Sequence, residues 1–417
     1  MGLFDRFKKE KEKTGTDTPA FVEKKLYILC MEKNSNTMLK AFDSVFGTLL
    51  ADSGVNNGTL RNGELSVQVV TYGQDLGDEC KEFIQKQANS VCGYTASLET
   101  AHTDIKINVI HQLLRSKGFI FLKCSYPGPE DSVTEDMLLQ PLYAVTSKVH
   151  GLLLTDEATT IINEDGKVVL DQSGNSQLEW FMPCEQPLPA DFFNGAPASS
   201  LRRRDESLKL LRDRHIHVTE WLPLIESEED AHFRTTEEIA GRAAALLIVA
   251  LYSECLLGDK KTISEAREFV KPIIRSFHAE MYFSPKEKDY LENDDSSENE
   301  QIQFAWQYEP LMVMLWALGY EKELFFPDHI CDVPGVVRTM HEHQTVEALV
   351  QDAAPRSQAE LLQEADLIYR MDWACVGTRI HGLPAPAGMN GGVVMERHKA
   401  LNWLICGEDW DHVDIST

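Results

Sequence analysis

The chain has 417 residues, with Lys+Arg 40 against Asp+Glu 66 and a formal net charge of -26. That length exceeds what one hydrophobic core usually organises, so two domains are predicted, and 43% hydrophobic with 25% charged residues excludes collagen-like, disordered and disulfide-scaffold classes. A surface this acidic repels phosphate backbones and anionic lipid headgroups, which argues against nucleic acid and membrane as partners.

Residues 1–24, with Leu3, Phe4 and Phe7 set among basic residues, read as a flexible charged leader without a signal-peptide core. No apolar stretch reaches the roughly 18 residues needed to span a bilayer. The nine cysteines, at positions 30, 80, 92, 124, 184, 255, 331, 375 and 406, are dispersed without any C-x-x-C pair. They read as reduced thiols, and the protein as cytoplasmic.

Residues 25–182 mix two periods and predict an α/β domain. Strand-like runs fall at 26–30, 66–71 and 118–124, rich in β-branched or aromatic residues and bounded by polar breakers. Helical patterns fall between them at 37–52, 78–91, 103–116 and 132–149, the last opened by Ser132 and Glu135 at capping-box spacing. After an apolar run at 151–155, the segments 159–163 and 168–170 flank Asp165-Gly166, which suits a hairpin turn.

Residues 183–200 carry four prolines and a glycine with no period, and are predicted to be a linker. Residues 201–417 then read as an all-helical domain, with helices at 201–215, 236–257, 263–283, 302–319, 336–352, 358–376 and 392–406. Thr235 with Glu238 and Ser357 with Glu360 have capping-box spacing, and Gly258 and Gly319 suit helix ends. The acidic stretch 289–300 reads as a solvated loop. The fold class expected is therefore α+β, a mixed α/β domain followed by an all-α domain.

Strong catalytic motifs are absent: no G-x-x-x-x-G-K-[ST], no G-x-S-x-G, and no G-x-G-x-x-G after a strand. His341 and His343 miss the i,i+4 spacing of a zinc helix, and His215 with His217 is a poor chelate, so no metal and no cofactor are expected. Gly388 to Gly392 reads as a flexible loop before the last helix. The informative feature is the tryptophan and charge density of the C-terminal half. Glu309 lies between Trp306 and Trp316, Asp366 and Arg370 stand at i,i+4 before Trp373, and Glu396, Arg397 and His398 precede Trp403.

On a helix His398 shares a face with Val394, Leu401 and Ile405, and Arg397 aligns with Val393, Ala400 and Leu404. Both side chains are therefore expected inside, where charges need partners. Two readings compete. As catalysis, Glu309 or Glu396 acts as general acid or base beside His398, with arginines holding an anionic substrate and indoles walling the pocket. As structure, the same charges form a network that fixes how the helices cross, with Arg242, Trp306, Asp366, Arg370, Trp373, Arg397 and Trp403 as its binding candidates. The structural reading is preferred, because buried Arg-carboxylate networks without catalytic roles are also common.

In their order, Arg234, Glu238 and Arg242, then Trp306, Glu309, Leu315, Trp316 and Gly319, then Asp366, Arg370 and Trp373, then Val394, Glu396, Arg397, His398 and Trp403, closing on Trp410 and Asp411, make a specific pattern. Over about 201–414 the chain resembles the bacterial domain of unknown function numbered 4272. Pro310 departs from that pattern, placing a helix start near Glu309 and Trp306 in the preceding turn. The resemblance implies a bacterial cytosolic protein and transfers no activity. The function expected is a non-enzymatic binding, regulatory or immunity-like protein whose acidic surface takes another, basic protein; the alternative is a hydrolase-type enzyme using Glu309, Glu396 and His398.

Overall fold

The computed structural model describes residues 21–47, 56–62, 65–127, 132–155, 158–185, 188–258 and 260–417. The chain divides into two compact units, 1–188 and 189–417, and the division falls inside the proline-rich segment 183–200. Residues 1–20 of the expected leader lie outside the described residues. Its last four, from Phe21, belong to the first strand.

In the N-terminal unit, β1 (Phe21–Cys30), β2 (Asn57–Asn62), β3 (Leu65–Gly73), β4 (Gly118–Pro127), β5 (Gly151–Leu154), β6 (Ile161–Ile162) and β7 (Val168–Leu170) form one antiparallel sheet in the order β2-β3-β4-β1-β5-β6-β7. The central strand β1 alternates exposed Lys25 with buried Leu26 and Ile28, the period-2 pattern that a covered sheet face demands. Helices α1 (Ser35–Phe46) and α4 (Ser132–Lys148) cover one face, with Met38, Phe42, Leu138 and Leu142 packed on Ile28, Ile120 and Leu122. Helix α2 (Asp78–Ser97) covers the other through Phe83, whose ring stands 4.7 Å from Tyr72 and 5.5 Å from Phe119, and α3 (Thr103–Leu114) packs beside it. The hairpin at Asp165-Gly166 is present, with Gly166 at φ +76°. The edge strand β2, Asn-Gly-Thr-Leu-Arg-Asn, is polar in composition and lacks the β-branched or aromatic run that predicts a strand.

The C-terminal unit is helical: α5 (Ala198–Asp213), α6 (Thr236–Leu257), α7 (Ile263–Phe277), α8 (Pro285–Glu292), α9 (Glu298–Ala305), α10 (Tyr308–Ala317), α11 (Val333–His343), α12 (Val346–Asp352), α13 (Gln358–Ile380) and α14 (Gly391–Ile405). Apolar almost all round, α6 runs through the core with α7, α9, α10 and α12 packed on it. This corrects the expectation about apolar stretches, because α6 is long and apolar enough to cross a membrane by length and composition. Of its most apolar window, 83% is buried within the protein.

Three expected helix boundaries are corrected. The helix placed at 263–283 stops where His278 turns left-handed at φ 48°, and the one at 336–352 breaks at Gln344, φ 57°. The one at 302–319 divides at Trp306 and Gln307, which agrees with the helix start expected near Glu309, because Pro310 has no N–H to continue an upstream ladder. The acidic stretch 289–300 is only partly loop, since its two ends belong to α8 and α9. Five helices open with the same reciprocal capping box: Thr235 with Glu238, Thr262 with Glu265, Ser284 with Glu287, Ser297 with Glu300, and Ser357 with Glu360.

Candidate functional site

Three consecutive residues of α14 organise the helical unit's polar interior. Successive helical residues are turned about 100° apart, so Glu396, Arg397 and His398 reach three different neighbours. Arg397 donates from Nε to Glu309 Oε2 on α10 at 3.2 Å and from Nη1 to the Phe325 carbonyl at 2.6 Å, while Glu309 also accepts from the Cys331 N–H. His398, fully buried, meets Asp372 of α13 with Nδ1 at 2.8 Å from Oδ2. Asn402 donates from Nδ2 to His398 Nε2 at 3.1 Å and to the Asp414 carbonyl at 2.8 Å. With Nε2 accepting, the ring proton sits on Nδ1 and is given to Asp372.

The other candidates are placed as follows. Asp366 and Arg370 form an internal fork within α13, and Arg370 has no exposed surface. Arg242 donates to both carboxylate oxygens of Glu287 and lies 4.9 Å over the Trp410 ring. Trp306 sits in the turn between α9 and α10 and closes against Gly392, where an added Cβ would stand 3.1 Å from the indole. Trp373 is half-buried against His217, and Trp403 meets Trp410 edge-on at 5.8 Å. Glu309 and His398 therefore join separate buried pairs and make no hydrogen bond to Glu396, although the Glu309 charge is near enough to raise the Glu396 carboxyl further.

Glu396 differs from its neighbours. Among the described residues, five carboxylates are buried in this unit: Glu287, Glu309, Asp366, Asp372 and Glu396. The first four each have a basic partner within 4 Å. Glu396, 6% exposed, has none among the described residues; its one hydrogen bond comes from Gln307 Nε2 at 3.4 Å. It lines a cleft of about 540 Å³ with the buried Tyr290, Gln307 and Trp410, the half-buried Phe304, Lys399 and Asp411, and the exposed Lys286, Asp289 and Glu300. Burial pushes the Glu396 carboxyl up to about 7, against the pull of Lys399 and Gln307. The Lys399 ammonium, 4.5 Å over Trp410, is shifted down by its own burial, although Glu396, Glu287 and Asp411 oppose that shift.

Helix geometry explains the cleft's other polar groups. Asp411 caps α8, accepting from Ser284 Oγ at 2.8 Å and the Lys286 N–H at 3.0 Å, so its charge meets the positive end of the helix. Tyr290 and Phe304 stack with centroids 4.0 Å apart and 14° between planes. Lys399, Gln307, Glu287 and Tyr290 were not singled out in the sequence. The i,i+3 step from Glu396 to Lys399 and the Ser284/Glu287 spacing were the signals available for two of them.

The family model of the domain of unknown function DUF4272 matches residues 203–413, half of the chain and nearly all of the helical unit. The chain belongs to the DUF4272 family. No curated protein and no solved structure matches it. Within the DUF4272 region lie all the buried pairs described above and the whole lining of the Glu396 cleft.

Proposed function

We propose that the protein is a non-enzymatic, cytoplasmic binding protein whose DUF4272 region captures a basic partner protein at the Glu396 cleft. The observation that carries the reading is the unequal pairing of buried charge: four of the five buried carboxylates are satisfied internally, and the fifth stands at the floor of an open cleft. Around it Asp289, Glu300 and Asp411 outnumber the nearby Lys286 and Lys399, so the cleft draws cations, in keeping with the chain's net charge of -26. The test is titration of the full chain with a short lysine-rich peptide over a range of salt. Affinity should fall steeply with salt and drop in the Asp289→Asn, Glu300→Gln double variant. Unchanged affinity in that variant contradicts the proposal.

One observation favours a second reading, a hydrolase-type enzyme. A cleft carboxyl pushed up to about 7 is poised to give or take a proton near neutral pH. In that reading Glu396 works with Lys399, since Glu309 and His398 are committed elsewhere. Turnover of an ester or amide that disappears in Glu396→Gln would select it.

A further inference from the structure

The floor of the cleft has a more particular chemistry than its acidic rim. Glu396 is more than nine-tenths buried, has no ion-pair partner among the described residues, and receives only the 3.4 Å hydrogen bond from Gln307 Nε2. Its second oxygen, Oε1, has no hydrogen bond among the described residues. The Gln307 amide donates to Glu396 and to the Gln303 carbonyl at 3.3 Å, which leaves its Oε1 as another acceptor. Phe304, half-buried and stacked on Tyr290, adds an aromatic surface to the same cleft. Carboxylate and amide oxygens beside an aromatic face complement a planar cation with several N–H donors.

We infer that the floor of the cleft is a subsite for one arginine side chain of the partner, its guanidinium donating to Glu396 and Gln307 and its stem lying against Phe304. The inference rests on the capture reading above and narrows its ligand. A guanidinium suits this floor better than an ammonium for two reasons. Its planar fork bonds a carboxylate through two parallel N–H groups and stacks on rings, and it is the more weakly hydrated cation, so shedding water against the buried Glu396 carboxyl costs it less.

Lys399 does not already fill this role. Its ammonium stands over Trp410 and forms no ion pair within 4 Å of Glu396, although each charge pulls on the other's titration. It is a neighbouring like charge that an incoming guanidinium must tolerate. Removing it should therefore help an arginine and harm an anionic ligand.

The experiment is calorimetric titration of the full chain with hexa-arginine and with hexa-lysine at low salt. Wild type should bind hexa-arginine about tenfold more tightly than hexa-lysine. Glu396→Gln should bring the two to equal affinity, and Lys399→Met should strengthen hexa-arginine binding. Equal affinities in wild type, arginine preference retained in Glu396→Gln, or weaker arginine binding in Lys399→Met each overturn the subsite, while the capture reading stands on the salt-dependent binding of both peptides. If neither peptide binds, the capture reading falls and the subsite with it. Melting curves of both variants establish that each is folded before titration.

Discussion

Asp366 and Arg370 join through two parallel bonds one helical turn apart, Nε to Oδ2 and Nη2 to Oδ1, each 2.9 Å, with Arg370 wholly buried. Burial makes the pair costly to break and cheap to replace, because most of the loss from a single substitution is the charge left behind. Arg370→Ala should lower unfolding free energy by roughly 3–5 kcal/mol, and Asp366→Asn made together with Arg370→Met should restore most of it. Urea unfolding of both variants measures this. A single variant within about 1 kcal/mol of wild type would place the pair in the weak class of exposed ion pairs and refute the account.

That pair was legible in the sequence, because i,i+4 spacing on an apolar helix identifies both partners. So was the burial of Arg397 and His398, each standing on a stripe of apolar residues. Their partners Glu309 and Asp372 were not, since both contacts cross between helices and no local spacing encodes them. The acidic stretch 289–300 shows another limit. Ser284 with Glu287 and Ser297 with Glu300 carry capping-box spacing, yet the density of charge around them resembles solvated loop. The breaks at His278 and Gln344 use left-handed residues that are not glycine; histidine is enriched in that conformation but too weakly to mark one position, and nothing in the glutamine side chain announces it. The cleft was legible only in part, as one glutamate among several buried charges.

Glu396 makes a pH prediction whose sign follows from its raised carboxyl. Unfolded, the group ionises near its ordinary 4.5; folded, it holds its proton up to about 7. Between those values the native state binds more protons than the unfolded chain, so its contribution is complete below about 4.5 and is lost as pH rises towards 7. Glu396→Gln should remove that slope and leave the variant more stable than wild type at pH 8, by an amount on the order of 3 kcal/mol or less. Glu364, pushed up to about 6 by burial, contributes a slope of the same sign to both proteins and cancels in the comparison. Urea midpoints across the range check this, and identical slopes in the two proteins would contradict it.

Gly241 sets two effects against each other. Alanine in a helix interior is favoured over glycine by about 1 kcal/mol. At this position of α6, however, a Cβ would stand 2.3 Å from two ring atoms of Tyr282, whose carbonyl accepts from Arg242. Overpacking of this kind costs about 1–3 kcal/mol. Gly241→Ala should therefore destabilise the protein, and a rise in melting temperature would show that the ring moves freely.

None of the nine cysteines is in a disulfide, and their burial divides them into two groups. Cys80, Cys184 and Cys406 are partly exposed and the other six are buried. Burial pushes the Cys375 thiol up to about 12 and the Cys30 thiol higher still, which withholds the reactive thiolate. Disulfide-exchange reagent should titrate Cys80 first in the native protein, Cys184 and Cys406 more slowly because burial raises their thiols too, and the remainder only on unfolding. Reductant should leave the melting temperature unchanged; a drop of several degrees would indicate a cross-link.

The central claim is that the Glu396 cleft receives a cation from a basic partner, and the most direct measurement watches Glu396 itself. Side-chain carboxyl carbons of labelled glutamate can be followed by NMR while hexa-arginine is added to the full chain near pH 7. The account predicts that the Glu396 resonance moves from its half-protonated position towards the ionised one, with the Trp410 indole N–H shifting over the same range of peptide concentration. A Glu396 resonance that stays in place while the peptide binds elsewhere would contradict it.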